Sequence, residues 1–281
     1  MQKKIIYWSP HLTHIGTINS VINSANSLVK FSNKKYKVCL LNLFGEWSNL
    51  DQKLNENKIT LINIFNPKIN KFLPKNSFLK SRFTYIVFFI FSFFKLRKIL
   101  KYSQDSILII HLLTSLPLLV TKLFNLKINI ILRISGRIKL NPIRMFVWKL
   151  CKDKITWVTC PSIETRNDII KLGIFNEDKI TTLYDPILEP KKINLLKNKI
   201  IEDKKILNKK LILSIGRLTK QKNFVQLIKS FNEINKKNPE YFLIILGSGE
   251  EKNKLIQIIK SLKLEEKIFL LGFEKNVFKY I

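Results

Sequence analysis

Apolar and polar positions along this chain follow two periods in alternation. Short apolar runs at residues 4–8, 36–43, 59–64, 106–111, 128–133, 155–160, 179–183, 211–215, 241–246 and 268–271 have the length and β-branched content of buried strands. Between them, apolar residues recur at helical spacing. Ile18, Val21, Ile22, Ala25, Leu28 and Val29 form one such stripe; Phe224, Leu227, Ile228, Phe231 and Ile234 form a second; Leu255, Ile256, Ile259 and Leu262 form a third. Further helices are expected at 115–124, 142–151 and 162–172. The last of these is opened by Pro161-Ser162 and closed near Gly173. The helix from Asn223 ends at Asn238-Pro239, because the residue before a proline is pushed out of helical geometry. Strands that alternate with helices of this length pair in parallel through right-handed crossovers, which gathers the strand-to-helix loops on one sheet edge.

This pattern predicts an α/β protein with two domains. Asp185-Pro186 closes the first, the lysine-rich and weakly periodic stretch 190–210 connects, and the boundaries expected are 1–188 and 189–281. A length of 281 residues with 46% hydrophobic content is enough to bury a core. The formal charge of +30 changes the picture more, since it implies attraction to nucleic acid, nucleotide ligands or an acidic bilayer. No nucleic-acid motif or regular basic and aromatic stripe accompanies the charge, so nucleic acid is not the expected partner. Cys39, Cys151 and Cys160 lie in or beside apolar segments without C-x-x-C spacing. They read as buried thiols of a reducing cytoplasm, with neither a disulfide framework nor a zinc site. The apolar run after Lys3 and Lys4 is too short for a secretory signal.

Residues 83–94, FTYIVFFIFSFF, lie between Lys80 and Arg82 on one side and Lys95, Arg97 and Lys98 on the other. The run is shorter than the roughly 20 apolar residues that span a bilayer. It is either a helix wholly buried in the first domain or an interfacial element with basic flanks on anionic lipid, peripheral on the inner face of the membrane.

Candidate chemistry concentrates after the strand at 211–215. Gly216 permits a backbone conformation closed to other residues, and Arg217 and Lys222 place two cations near a helix start, which itself favours anions. A diphosphate suits this arrangement, the planar guanidinium gripping two oxygens and the ammonium acting as a point charge. A solvated basic loop is the competing reading in so lysine-rich a chain. Gly247 and Gly249 allow close backbone approach, although G-x-G alone is not a dinucleotide fingerprint. In the first domain, His111 ends an apolar strand and Ser135-Gly136-Arg137 follows another, so both reach the ligand-binding edge. His111 is either a hydrogen-bonding group for a ligand hydroxyl or a satisfied structural histidine.

Gly216-Arg217-Leu218 with Lys222-Asn223, Gly247-Ser248-Gly249-Glu250 and Leu271-Gly272-Phe273, in that order and spacing, resemble the nucleotide-sugar domain of family 4 glycosyltransferases of the GT-B fold. The resemblance covers 211–281 closely and the first domain diffusely. It implies two Rossmann-like domains of GT-B type. It also implies transfer of a sugar, with retention, from a nucleoside diphosphate sugar to a cell-surface glycan or lipid-linked acceptor, without a metal or other cofactor. Arg217 and Lys222 inherit the role of holding the diphosphate as leaving group, with His111 as a further catalytic candidate. Gly216, Asn223, Gly247, Gly249, Gly272 and Phe273 inherit donor contacts, and Gly16 and Thr17, in a loop expected at 9–17 with His11 and His14, stand where the family has a glycine-rich loop. Ser135 and Gly136 are the acceptor-side candidates. They stand where similar proteins have a histidine, so no general base is assigned.

The family continues with an acidic motif, a pair of glutamates that engage the sugar and ribose hydroxyls, whereas this sequence ends at Ile281. The second domain is therefore expected to be incomplete, the chain being a fragment, the product of an interrupted gene or a protein completed by another chain; a truncated product is the favoured reading, with weak or no transferase activity alone. Two other classes stay open. One is a non-catalytic remnant with a nucleotide- or membrane-binding surface, and the other is a basic nucleic-acid-binding protein.

Overall fold

A computed structural model of the chain describes residues 3–11, 16–68, 78–136, 141–186, 190–201, 206–207 and 209–281; of 53, 78–89 and 192 it describes the backbone alone. The chain divides into two compact units, Met1–Ile187 and Leu188–Ile281. The expected boundary after residue 188 lies outside the described residues, as do His14 and Arg137.

Unit 1 runs β1 (Lys3–Trp8), α1 (Gly16–Phe31), β2 (Tyr36–Asn42), α2 (Asp51–Glu56), β3 (Thr60–Asn63), α3 (Phe78–Lys101), β4 (Ile107–Ile110), α4 (Ser115–Leu123), β5 (Asn129–Arg133), α5 (Pro142–Cys151), β6 (Ile155–Cys160), α6 (Ile163–Lys171) and β7 (Ile180–Thr182). The strands form one sheet in the order β3-β2-β1-β4-β5-β6-β7, every pair parallel. The strand order reverses between β1 and β4, and the carboxyl ends of those strands flank the crevice where such sheets bind ligands. Period-two alternation sorts side chains to the two faces. Ile6, Trp8, Cys39, Leu41, Leu108 and Ile110 pack with Leu96 and Leu100 of α3, Leu116 and Val120 of α4 and Val147 and Trp148 of α5. Ile5, Tyr7, Val38 and Leu40 pack with Ile18, Val21 and Ala25 of α1 and Leu54 of α2.

Helix ends follow side-chain chemistry. Ser162 accepts a hydrogen bond from the Thr165 N–H at 3.3 Å at the start of α6, and Asn141 accepts from the Arg144 N–H at 3.2 Å, with Pro142 in the first turn of α5. The three cysteines are free and buried, and burial pushes the Cys160 thiol up to about 11.

Unit 2 comprises α7 (Pro190–Lys197), β8 (Lys210–Ile215), α8 (Phe224–Lys237), β9 (Tyr241–Leu246), α9 (Lys252–Ser261) and β10 (Ile268–Gly272), with a parallel sheet in the order β10-β9-β8. Leu243 and Ile245 face Phe224, Ile228 and Phe231 of α8 and Leu255 and Ile259 of α9. Ile244 and Leu246 face Ile206, Val277 and Tyr280 on the other side. The fold is thus α/β with parallel sheets, as the alternating periods require.

Three expectations need correction. The loop expected at 9–17 is shorter, because α1 already begins at Gly16 and so includes Thr17. The apolar run 83–94 is the middle of a helix of 24 residues, which continues past the basic flank because Leu96 and Leu100 bury one helical turn apart against the sheet. The described part of that helix is not enclosed: Phe91 and Phe94 are exposed. Finally, the expected connection at 190–210 opens with a helix, α7, against which the C-terminal 3-10 turn (Val277–Tyr280) packs.

Candidate functional site

The three loops at the carboxyl edge of the unit 2 sheet are laced together by their own backbones. Gly216 N–H donates to Leu246 O at 2.9 Å, Leu218 N–H to Ser248 O at 3.0 Å, and Gly247 N–H to Gly272 O at 2.6 Å. Gly247 has φ +150°, and a Cβ there would collide with the carbonyl oxygen of Gly216; one on Gly249 would meet that of Leu218. These two glycines are needed for loop-on-loop packing, whereas Gly272, at φ +81°, faces open space.

Beside the loops lies a cavity of about 250 Å³ lined by Gly216, Arg217, Gly247, Ser248, Phe273 and Glu274, among others. Phe273 is 79% exposed. Arg217 is exposed and makes no ion pair among the described residues. Lys222 ends a 3-10 turn (Lys220–Lys222), and its Cγ lies 3.7 Å from where a Gly216 Cβ would be, so its stem crosses the loop that carries Arg217. Asn223 follows in the left-handed region at φ 51° and caps α8 without a side-chain bond, leaving that helix end open to an anion. Glu274, absent from the sequence reading, contributes a carboxylate to the same cavity. It accepts from Asn276 N–H at 2.8 Å and pairs with Lys279 at 2.9 Å, and these donors hold it below the usual carboxylate range. Nothing about a lone Phe-Glu dipeptide in the sequence signals that position.

The carboxyl edge of the unit 1 sheet is built differently. His111, after β4, is buried and its Nδ1 has no hydrogen-bond partner among the described residues. The ring stacks on Tyr7 at 6.0 Å. Burial, then the nearby Arg133 charge, push its pKa down to about 3 against an opposing pull from Asp185, so the imidazole is neutral at physiological pH. Arg133, at the end of β5 and only 5% exposed, donates to Leu183 O at 2.6 Å and pairs with Asp185 at 2.7 Å. His111, Arg133, Ser135 and Gly136 line one polar chamber of about 210 Å³ together with Thr114 and Arg144. The structure therefore brings the sequence candidates His111, Ser135 and Gly136 to one place, and adds Arg133, Arg144 and Thr114, which no local motif marks. Thr114 accepts from Trp148 Nε1 at 3.0 Å. Gly16 and Thr17 open α1 at the same end of the sheet, beyond residues 12–15, which lie outside the described residues.

Residues 197–281 match the family model described as Glycosyl transferases group 1. An uncharacterized glycosyltransferase of Methanocaldococcus jannaschii is 36% identical over 120 residues, 43% of this chain and 27% of that protein. The N-acetylgalactosamine-N,N'-diacetylbacillosaminyl-diphospho-undecaprenol 4-alpha-N-acetylgalactosaminyltransferase of Campylobacter jejuni is 41% identical over 103 residues, 34% of this chain and 27% of that protein. The matched stretches thus span little more than a quarter of these curated relatives. Among solved structures, a glycosyltransferase from Rickettsia africae superposes with a TM-score of 0.67 over 99% of this chain and 70% of its own, at 16% identity. TarM of S. aureus does so with 0.69 over 100% and 78%, at 14% identity. At those identities the structures speak to the fold, which is of GT-B type.

Proposed function

We propose that the chain, whose residues 197–281 match the family model described as Glycosyl transferases group 1, moves a sugar from a nucleoside diphosphate donor to a cell-envelope glycan or lipid-linked acceptor. The carrying observation is Arg217, exposed at the mouth of the unit 2 cavity without an ion pair among the described residues, with the Lys222 stem across the same loop. Two unneutralised cations beside an open helix end form a receptor for a diphosphate. They stabilise the charge that accumulates as the bond from the anomeric carbon to the diphosphate breaks, a task a metal would otherwise perform. The acceptor hydroxyl oxygen bonds to the anomeric carbon on the face the leaving group vacates, and its proton passes to the departing phosphate oxygen. The sugar keeps its anomeric configuration, and no side-chain nucleophile is required. The neutral imidazole of His111 suits a hydrogen bond to an oxygen of the acceptor. The curated Campylobacter relative, named for transfer to a diphospho-undecaprenol carrier, favours a lipid-linked acceptor.

The test is direct binding of UDP, ADP and GDP. Arg217→Ala should weaken the best of them about 10- to 100-fold, the worth of a charge-assisted hydrogen bond at about 1.5–3 kcal/mol. Lys222→Ala should weaken it less. Unchanged affinity in Arg217→Ala would overturn the donor assignment, and loss of transfer in EDTA would overturn the metal-free route.

A peripheral seat on the membrane is favoured by one observation. α3 and α5 both pack on α4, and Phe91, Phe94, Ile143 and Phe146 of the outer two are exposed, with Arg97, Lys98 and Lys149 among them. No helix among the described residues is long and apolar enough to cross a membrane. Sedimentation with anionic vesicles that is lost on Phe91→Ser and Phe146→Ser supports the seat; binding indifferent to vesicle charge and to both substitutions overturns it.

A further inference from the structure

The polar chamber at the end of β4 and β5 has a neighbour of opposite character. A second cavity, of about 420 Å³, lies among α3, α4 and α5 and is lined mostly by apolar side chains, Trp8, Ile90, Leu116, Leu119, Ile143 and Val147 among them. The two are continuous in lining, because Leu113, Thr114 and Arg144 belong to both. Ile90 and Ile143 at the rim of the apolar chamber are 64% and 73% exposed, so it opens onto the apolar surface of α3 and α5.

At the inner end the chemistry is that of an anion receptor. Arg133 keeps guanidinium donors beyond those given to Leu183 and Asp185, and Arg144 stands half-buried across the shared wall. α4 starts without a side-chain cap at Thr114. His111, more than nine-tenths buried, lines the chamber with a nitrogen that finds no partner among the described residues. Among the described residues the charged groups there are Arg133, its partner Asp185 and Arg144, which sum to one positive charge in excess. A buried polar group without a partner is costly, and a ligand oxygen or hydroxyl supplies one.

We propose that the two chambers form one subsite for a lipid phosphate, with the phosphate or diphosphate between Arg133, Arg144 and His111 and the start of its hydrocarbon chain leaving past Ile90 and Ile143. The size suits a ligand site, and the pairing of a small charged end with a larger dry one selects for an amphiphile over a free sugar phosphate or a plain hydrocarbon. The apolar surface outside the rim is where the rest of such a chain would already lie. This rests on reading the chain as a glycosyltransferase, whose acceptor class it names.

The experiment measures binding of farnesyl phosphate, farnesol and inorganic phosphate to the full chain by calorimetry, in parallel with UDP, ADP and GDP. Farnesyl phosphate is expected to bind at least about 10-fold more tightly than farnesol or phosphate alone. Arg144→Gln should bring farnesyl phosphate to the level of farnesol and leave farnesol unchanged. Leu119→Trp, which fills the apolar chamber, should weaken both farnesyl ligands while nucleotide binding persists. Equal affinity for farnesol and farnesyl phosphate, or inorganic phosphate binding as tightly as farnesyl phosphate, overturns the proposal; so does an Arg144→Gln chain that still prefers the phosphate. Failure of all three nucleotides to bind while the farnesyl pattern holds would sink the transferase reading and leave the lipid phosphate site standing. Arg217→Ala should not touch farnesyl phosphate affinity.

Discussion

The loop edges of the two units place arginine in opposite states. Arg133 in unit 1 is buried, paired with Asp185 and capped by the Leu183 carbonyl, whereas Arg217 in unit 2 stands exposed with no ionic partner among the described residues. The difference follows from solvation. A charge taken out of water needs a countercharge and hydrogen bonds to persist. A charge left in water needs neither and keeps its full capacity for an incoming anion. Unit 1 therefore offers a guanidinium fixed by its partners, and unit 2 an uncommitted cation on loops stiffened by backbone bonds.

The widest separation of the two states comes from removing each partner. Asp185→Asn strands the buried Arg133 and should cost about 3 kcal/mol in urea unfolding of unit 1, the low end for a broken buried pair because Asp185 is partly exposed. Arg217→Ala should change stability by less than about 0.5 kcal/mol, as for a surface residue with no fixed contact. Equal losses for the two substitutions would erase the distinction.

A smaller effect separates the glycines of the two edges. Gly247→Ala meets the Gly216 carbonyl as well as an unfavourable φ, and should lower stability by about 3 kcal/mol. Gly136 has φ +144° but nothing among the described residues within 4 Å of a Cβ, so Gly136→Ala is expected to carry backbone strain alone, about 1 kcal/mol. Thermal melts of the two variants check the order, and a reversed order would show that the laced loops yield more readily than their geometry implies.

Local patterns made most strands legible in the sequence, because each is a short apolar run between turn residues; α8 and α9 were equally plain from their stripes. α3 was underestimated because the run 83–94 is apolar all round and carries no helical period of its own, while the turns that extend it are basic. α7 was missed because its first turn is proline and lysine and its stripe is short. At the sites, the Gly216-Arg217 loop was legible because its residues are neighbours in sequence. The chamber around His111 was not. Arg133 and Asp185 are 52 residues apart, and Arg144 and Thr114 arrive there only through the packing of α4 on α5. Asp185 read simply as the turn that closes the first domain.

A third difference is one of acid sensitivity. The histidines of the chain, His11, His14 and His111, all precede residue 188. The folded-state pKa of His111 lies near 3, below its ordinary 6.5, so between those values the unfolded chain binds a proton at this site that the folded chain refuses. Unit 1 should therefore lose stability as pH falls from about 6.5 toward 3 on account of His111. Glu46 opposes this. Burial pushes its carboxyl up to about 7 although it accepts from the Leu43 and Phe44 N–H groups, so it favours the folded state as pH falls from 7 to 4.5. Comparing His111→Asn with the parent chain isolates the histidine, since Glu46 is common to both. The variant's stability relative to the parent should rise steadily as pH drops through that window. In unit 2, which has no histidine, the Asn276 N–H and Lys279 hold the Glu274 carboxyl below its ordinary value. A parent and variant whose unfolding curves keep a constant offset from pH 7 to pH 4 would mean that the imidazole is solvated in the folded chain, and the contrast between a closed unit 1 edge and an open unit 2 edge would then be lost at His111.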